Sequence, residues 1–184
     1  MLTTRSCCFT GYRPEKFPFP FHSGHMLYTD FEDKLTGAIF TLMADGYSRF
    51  YTGAARGFDL LAAEVTLLCR RMRRMPIELY CAVPFPEQTA GWPTEWKKRY
   101  MAVLDEADKV EYLADHYFRG CYQRRNQYMV DNSQAVLTYF DGQKGGTAST
   151  LSYARQKDRP IVNLAECDLD AYLEDIPLQF EIVL

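Results

Sequence analysis

The sequence lacks long apolar runs and has no strong excess of charge of either sign. No apolar stretch approaches the roughly 20 residues that a membrane-spanning helix needs, and the opening residues MLTTR lack the charged and then apolar pattern of a signal peptide. The 21 basic and 24 acidic residues give a net charge of −3, which argues against a general polyanion binder. We therefore expect a cytoplasmic protein without membrane association, and the charge disfavours nucleic acid as a partner.

Cysteine and histidine spacings typical of metal or catalytic sites are also lacking. The six cysteines form no C-x-x-C pair, and His22 and His25 have no further ligand that would complete a zinc set. Asp168 and Asp170 lack the glycine and the terminal glutamate of a calcium loop. No G-x-S-x-G nucleophile motif occurs. The cysteines are typical of reduced thiols in the cytosol, and we predict neither a metal site nor a required cofactor.

A strand, a glycine-containing turn and an amphipathic helix follow one another in residues 49–64, RFYTGAARGFDLLAAE. The apolar residues at the spacing of one helical face are Leu61, Val65, Leu68, Met72 and Met75. The first turn of such a helix leaves backbone N–H groups unpaired, and the helix dipole attracts anions there. Gly53 and Gly57 allow close approach to these groups, and Arg56 adds charge. A tight turn that binds nothing fits this G-x-x-x-G pattern equally well.

Predicted strands and helices alternate along the rest of the chain. Strands are predicted at about residues 5–10, 50–52, 77–83, 109–113, 135–140 and 161–164. Further helices are predicted at about residues 26–44, 95–107 and 122–133, and from the end of a second glycine-containing loop, at 141–147, to residue 157. A weaker pattern indicates a helix at 169–173 and an edge strand at 180–184. This alternation predicts an α/β fold in three layers, with a mostly parallel sheet covered by helices on both faces, as one domain over residues 1–184.

Right-handed crossovers place the loops that follow the strands along one rim of the sheet. Thr10 and Gly11, residues 53–57, and the later loop DGQKGGT at 141–147 would therefore meet at this rim. The last loop is not a Walker A sequence, but paired glycines before a helix suit an anion, and Thr147 or Ser149 would cap the helix. An ordinary capped helix start explains the threonine but explains the paired glycines less well.

Two further groups of residues lie near this rim. Arg125 and Asn126 precede the strand that leads to the second glycine loop, although an arginine there also fits a solvated helix face. Trp92, Trp96 and Tyr100 could form an aromatic wall for a base. Trp96 and Tyr100, at i and i+4, fit a helix core better, which leaves Trp92 as the candidate for the wall.

Five blocks, in order along nearly the whole chain, resemble the YpsA-like family of the SLOG superfamily. They are TGYRP at 10–14, GxxxGxD at 53–59 with AAE at 62–64, PFxxQxxxW at 84–92, YxxVLxxAD at 100–108, and RNQ at 125–127 with GGT at 145–147. The resemblance implies a Rossmann-like domain that binds a nucleotide or a nucleotide-derived small molecule, such as AMP, ADP-ribose or an NAD-like ligand. Such a protein would act as a sensor or regulator, and a homodimer is left open.

The resemblance also implies which residues bind the ligand. They are Thr10, Gly11, Arg13, Gly53, Ala54, Arg56, Gly57, Asp59, Arg125, Asn126, Gly145, Gly146 and Thr147. Asp59 would either accept a hydrogen bond from a sugar hydroxyl or cap the first turn of its helix, and the two roles stay open.

The superfamily includes the LOG phosphoribohydrolases, which carry a P-G-G-x-G-T-x-x-E loop after an R-K-x-x-M helix. Arg125 and Met129 match that helix, but the position of the glutamate is Thr150. Cleavage of a nucleoside monophosphate needs a carboxylate, so Glu64 or Asp141 would have to replace it. This activity is therefore an alternative that we do not expect.

The superfamily also includes the DNA-processing protein DprA. Clusters of arginine in this chain suggest a second alternative, a DprA-like binder of single-stranded DNA. The acidic balance of the whole chain disfavours it.

Overall fold

The computed structural model describes residues 4–73 and 76–166, and within them strands and helices alternate. The strands are β1 (Arg5–Thr10), β2 (Tyr47–Thr52), β3 (Glu78–Val83), β4 (Lys109–Tyr112), β5 (Ala135–Thr138) and β6 (Ile161–Asn163). The helices are α1 (Met26–Ala44), α2 (Phe58–Arg73), α3 (Thr94–Glu106), α4 (Cys121–Asp131) and α5 (Gly146–Gln156). Short 3-10 helices occupy Pro14–Lys16 and Pro86–Thr89, where the sequence predicted loops.

The six strands form one parallel sheet in the order β4-β3-β2-β1-β5-β6. The helices form two groups. In the first group α2 packs between α1 and α3, and in the second α4 packs against α5. The two groups lie on opposite faces of the sheet. The connections through α1, α2 and α3 run along the sheet in one direction and those through α4 and α5 in the other, and right-handed crossovers in opposite directions place their helices on opposite faces. The predicted α/β Rossmann-like arrangement is confirmed. The strand order reverses between β1 and β5, the place where open α/β sheets bind ligands.

The buried face of α2 differs from the predicted one. Leu61 and Val65 are buried, as expected, but Leu68 and Met72 are 44% and 66% exposed. The buried face runs through three other positions, Leu60, Ala63 and Leu67. The reason is that α2 lies between two neighbouring helices and the sheet, so the buried part of its surface is wider than a single stripe.

Several predictions fall on other parts of the chain. Those for Met75, for Asp168 and Asp170, for a helix at 169–173 and for a strand at 180–184 lie outside the described residues, as does part of the single domain 1–184. Within the described residues, no helix combines the length and the apolar character needed to cross a membrane.

Gly57 brings the start of α2 against the loop after β1. Its φ is +94°, in the left-handed region that favours glycine, and a Cβ there would overlap the backbone carbonyl oxygen of Tyr12. The same carbonyl accepts a hydrogen bond of 3.0 Å from the N–H of Phe58. The close approach of two backbone segments therefore requires glycine at this position.

We predict that Gly57→Ala lowers the free energy of unfolding by about 3 kcal/mol. The left-handed conformation of a residue with a Cβ costs about 1–2 kcal/mol, and the overlap with a backbone atom adds about 1–3 kcal/mol. Gly91→Ala is the matched control, because its φ is +76° and an added Cβ meets no atom within 4 Å. Urea denaturation measures both, and equal losses in the two variants would show that the approach to Tyr12 is unimportant.

Candidate functional site

A cleft of about 180 Å³ opens at the carboxyl ends of β1 and β5. Its walls come from the loop after β1, the first turn of α2, the first half of α4 and the start of α5. Eight of the predicted ligand-binding residues line it, namely Thr10, Gly11, Arg13, Asp59, Arg125, Asn126, Gly146 and Thr147. The remaining lining residues are Tyr12, Lys16, Ala55 and Tyr122. The structure thus brings the first and third predicted loops together.

The start of α5 faces the cleft without a side-chain cap. Gly145, at φ +148°, is the N-cap residue, and no side chain in the described part of the chain caps the first turn there. The prediction that Thr147 or Ser149 caps the helix is wrong. The Thr147 hydroxyl donates to the carbonyl of Gly11 at 3.0 Å, and the Ser149 hydroxyl donates back to the carbonyl of Gly145 at 3.3 Å. Uncapped N–H groups and the positive end of the helix dipole make this end of α5 attractive to an anion.

The loop after β2 has a different role, because the protein's own carboxylate takes its amides. The backbone N–H groups of Gly53 and Ala55 donate to the Asp59 carboxylate. The N–H of Ala54 donates to the Thr52 hydroxyl oxygen at 3.0 Å. The anion held by this loop is therefore Asp59 itself. Because Gly53 and Ala55 precede α2, these contacts are not the predicted cap of its first turn, and the bond to a sugar hydroxyl stays a prediction.

Gly53 leaves room for a buried arginine. A Cβ on Gly53 would overlap the guanidinium group of Arg125. Arg125 Nη1 instead donates to the carbonyl of Gly53 at 2.5 Å and lies 4.0 Å from Oδ2 of Asp59. The glycine thus serves a contact within the protein, and a ligand could not approach its backbone from this side.

Arg125 is the centre of a polar network that joins three elements. Its side chain is 5% exposed, so the alternative of a solvated helix face is wrong for this residue, although Arg124 is exposed. Nε donates to the side-chain oxygen of Asn126 at 2.7 Å, and the Asn126 amide donates to the Thr150 hydroxyl at 2.8 Å. The Thr150 hydroxyl donates in turn to the carbonyl of Gly146 at 2.8 Å. Among the described residues, no acceptor is bonded to Arg125 Nη2, which leaves this nitrogen for the cleft.

Burial dominates the ionisation of the central pair. Burial raises the pKa of Asp59 to about 6, against the lowering effect of Arg125 and Arg13. Burial also lowers the pKa of Arg125, despite the attraction of Asp59. The two charges therefore compensate each other only in part. A second anion near Arg125 would favour its charged form.

The charges that line the cleft are mainly positive. Arg13, Lys16 and Arg125 oppose the single carboxylate of Asp59. Lys16 Nζ donates to the carbonyl of Lys144 at 3.1 Å, beside the start of α5. The Tyr12 hydroxyl donates to Asp141 at 2.7 Å and accepts from two backbone N–H groups of the loop before α5. This bonding orders the loop, so the cations face a preformed helix start.

Five of the predicted site residues and the predicted base wall lie outside the cleft. Arg56 forms an ion pair of 2.9 Å with Glu15. Trp92 packs edge-on against Tyr100, with ring centroids 5.8 Å apart, and is partly buried against the core. The others are Gly53, Ala54 and Gly57, which are buried, and Gly145, which lies beneath Lys16 Nζ.

Sequence reasoning missed Tyr12, Lys16, Ala55 and Tyr122. Tyr122 carried a usable signal, because it lies three residues before Arg125 on a helix and therefore shares its face. Tyr12 lay within the TGYRP block, but its hydroxyl contacts a loop more than 120 residues away. No local pattern predicts such a contact.

The family model for YpsA, described as the YspA SLOG family, matches residues 7–165. The chain belongs to this family. The SPbeta prophage-derived protein YoqJ of Bacillus subtilis is 33% identical over 138 residues, which cover 68% of this chain and 80% of YoqJ. The UPF0398 protein BH1768 of Halalkalibacterium halodurans is 28% identical and covers 82% of each chain. The family assignment confirms the resemblance seen in the sequence.

Solved structures of DNA processing protein A share the fold. The protein from Helicobacter pylori, whose structure concerns its binding of single-stranded DNA, matches with a TM-score of 0.60 and 18% identity over 92% of this chain and 71% of that one. The Streptococcus pneumoniae protein matches with a TM-score of 0.61 and 13% identity over 92% of this chain and 53% of that one. Both likenesses concern the fold alone.

We predict that the Asp59 carboxyl makes the stability of the protein fall as the pH rises. The folded state binds this proton more tightly than the unfolded state, since the pKa rises from 3.8 to about 6. Its contribution is fully present below pH 3.8 and is lost as the pH rises through about 6. At about 1.4 kcal/mol per pKa unit, the loss is about 3 kcal/mol.

Urea denaturation of the wild type and of Asp59→Asn, at several pH values from 4 to 7, measures this loss. The difference between the two proteins isolates one carboxyl, because all other carboxyls titrate in both. We expect the advantage of the wild type to shrink toward pH 7, and parallel pH profiles would contradict the assignment.

Proposed function

We propose that the protein binds the phosphate of a nucleotide-type ligand at the start of α5. Arg125 carries this proposal: a buried guanidinium with an unbonded nitrogen reaches the same cleft as an uncapped helix start. Arg13 and Lys16 add two cations at the mouth. Charge-assisted hydrogen bonds from such groups are the strong bonds of phosphate recognition.

The size of the cleft favours a small phosphorylated ligand. Sites that enclose a drug-sized molecule measure roughly 300–1,000 Å³, and this cleft measures about 180 Å³. A phosphate and its sugar would fill it, and the base would lie outside. A mononucleotide such as AMP meets this requirement, and the larger ADP-ribose or NAD-like ligands would extend further beyond the mouth. A cytoplasmic sensor or regulator remains the role that we propose for such binding.

The carboxylates near the cleft support binding without cleavage. Thr150 stands at the LOG glutamate position, and its hydroxyl is bonded to Asn126 and to Gly146. Glu64 pairs with Arg99 through two bonds of 2.8 and 2.6 Å, and Asp141 accepts from Tyr12. Neither replacement carboxylate lines the cleft. Asp59 does, but backbone amides hold it.

Single-stranded DNA is a second source of the same phosphate chemistry. The likeness to DNA processing protein A weighs against our first expectation that nucleic acid is an unlikely partner. The arginine clusters themselves give it little support. Arg70 pairs with Asp108 at 2.7 Å, and Arg71 pairs with Glu106 at 2.5 Å. We therefore favour the small ligand and treat DNA as an alternative outcome.

We predict that AMP binds the wild type and that Arg13→Met weakens binding about tenfold or more. A hydrogen bond to a charged group contributes about 1.5–3 kcal/mol, which corresponds to roughly 10–150-fold in Kd. Arg124→Met is the matched control, because it removes the same charge from an exposed position outside the cleft. Isothermal titration calorimetry with AMP, ADP-ribose and NAD measures the three proteins.

Flat titrations of the wild type with all three ligands would overturn the proposal. An equal loss in the two variants would reduce it to a general charge effect. Fluorescence polarisation of a labelled oligo-dT, at low and high salt, forms the DNA arm. Tight binding there together with flat AMP titrations would favour DNA as the source of the phosphate.

We predict no release of adenine from AMP. The reason is the absence of a free carboxylate at the Thr150 position, because cleavage needs one to activate water or to stabilise the sugar cation. Chromatography of AMP incubated with the purified protein measures free adenine. Binding without cleavage would be refuted if the amount of adenine rose in proportion to the amount of wild-type protein and if Asp59→Asn released none.

A further inference from the structure

We propose that Tyr117 and Tyr122 form a shelf on which the nucleobase of the bound ligand stacks. The proposal rests on the proposed function, since it extends a phosphate site at α5 outward to the base. The shelf is defined here by these two rings and by Phe85, which lies between them. It assigns the base to these rings instead of to the predicted wall at Trp92.

The rings form a continuous path from the cleft to the surface. Tyr122 lines the cleft, and its ring lies edge-on to Phe85 with centroids 5.7 Å apart. Phe85 is 6% exposed, and its ring lies edge-on to Tyr117 with centroids 5.6 Å apart. A buried ring thus holds two accessible tyrosines in place. Both tyrosines therefore present ring surface beside a buried aromatic residue, an arrangement that suits the stacking of a base.

The exposure of Tyr117 supports a bound partner. Its side chain is 65% exposed, and the neighbouring Phe118 is 39% exposed on the same loop before α4. Most of the Tyr117 side chain faces water, and its ring contacts Phe85 at one edge. A planar base next to the phosphate site would cover this apolar surface.

The size of the cleft leads to the same conclusion. The cleft of about 180 Å³ accommodates a sugar phosphate, so that the base must leave through its mouth. Tyr122 is the aromatic residue of the lining that belongs to α4, whereas the Tyr12 hydroxyl is bonded to the loop before α5. Trp92 is engaged with Tyr100, and its ring centroid lies 6.0 Å from the Arg56 guanidinium carbon. A base that leaves along α4 therefore meets the shelf.

Stacking on tyrosine predicts the class of ligand. Every base has an aromatic face, and stacking of this kind tolerates different bases at about 1–3 kcal/mol each. The ligand would be a nucleoside phosphate chosen by its phosphate and by the presence of a base. Purines, with the larger face, would bind more tightly than pyrimidines.

The comparison of AMP with ribose 5-phosphate tests the shelf. We expect the wild type to bind AMP about 5–150-fold more tightly, which is the range that corresponds to one stacked base. Tyr117→Ala, at a ring outside the cleft lining, should weaken AMP while it leaves the Kd of ribose 5-phosphate unchanged within about twofold, and Tyr122→Ala should weaken AMP more than it weakens ribose 5-phosphate. Tyr122→Phe is the matched control, because it retains the ring and should bind AMP like the wild type.

The outcomes separate the shelf from the phosphate site. If ribose 5-phosphate and AMP bind equally well, or if neither alanine variant changes the preference for AMP, the shelf is refuted while the phosphate site stands. If neither compound binds, the proposed function fails and the shelf fails with it. The Kd of ribose 5-phosphate in every variant also shows whether a substitution has damaged the fold. If Tyr122→Ala damages it, Tyr117→Ala decides whether the shelf exists, because that ring is mostly exposed.

Discussion

The site depends on one buried guanidinium group. Arg125 enters the space that the missing side chain of Gly53 leaves, and there it bonds to the end of β2 and lies near Asp59 in α2. Through Asn126 and Thr150 it is also connected to the first turn of α5. The cost of burying a charge is high unless it is bonded, so these contacts fix the position of each element that meets at the cleft.

This arrangement changes the meaning of the glycines in the loop after β2. A glycine-rich turn before a helix suggests a site where backbone amides meet a phosphate. Here the amides of Gly53 and Ala55 meet a carboxylate of the same chain, and Gly57 permits two backbone segments to touch. The same physical principle, an anion at unpaired amides, operates in both cases. At α5, in contrast, no side chain of the described residues caps the first turn, and Lys16 lies beside it.

The sequence predicted the fold well because strands and helices leave periodic patterns. The strand at Arg5–Thr10 and the helix at Met26–Ala44 occur where the sequence predicted them, and the shared rim of three loops followed from the handedness of crossovers. Individual roles were less predictable. The positions of Arg125 and Trp92 depend on side chains that approach from distant parts of the chain, and neither burial nor bonding of that kind has a local signature.

The same distinction applies to the chemistry of the cleft. A glutamate four residues after Gly146 would bring a carboxylate to the first turn of α5, whereas Thr150 has a hydroxyl that bonds back to the Gly146 carbonyl and accepts from Asn126. Both bonds join Thr150 to other groups of the protein, so this residue helps to hold α4 and α5 together and provides no general base. Rigid placement of donors suits the binding of a phosphate, and a hydroxyl that is bonded in this way does not supply the carboxylate that cleavage of an N-glycosidic bond needs. The proposed phosphate binding therefore depends on the same geometry that fixes Arg125.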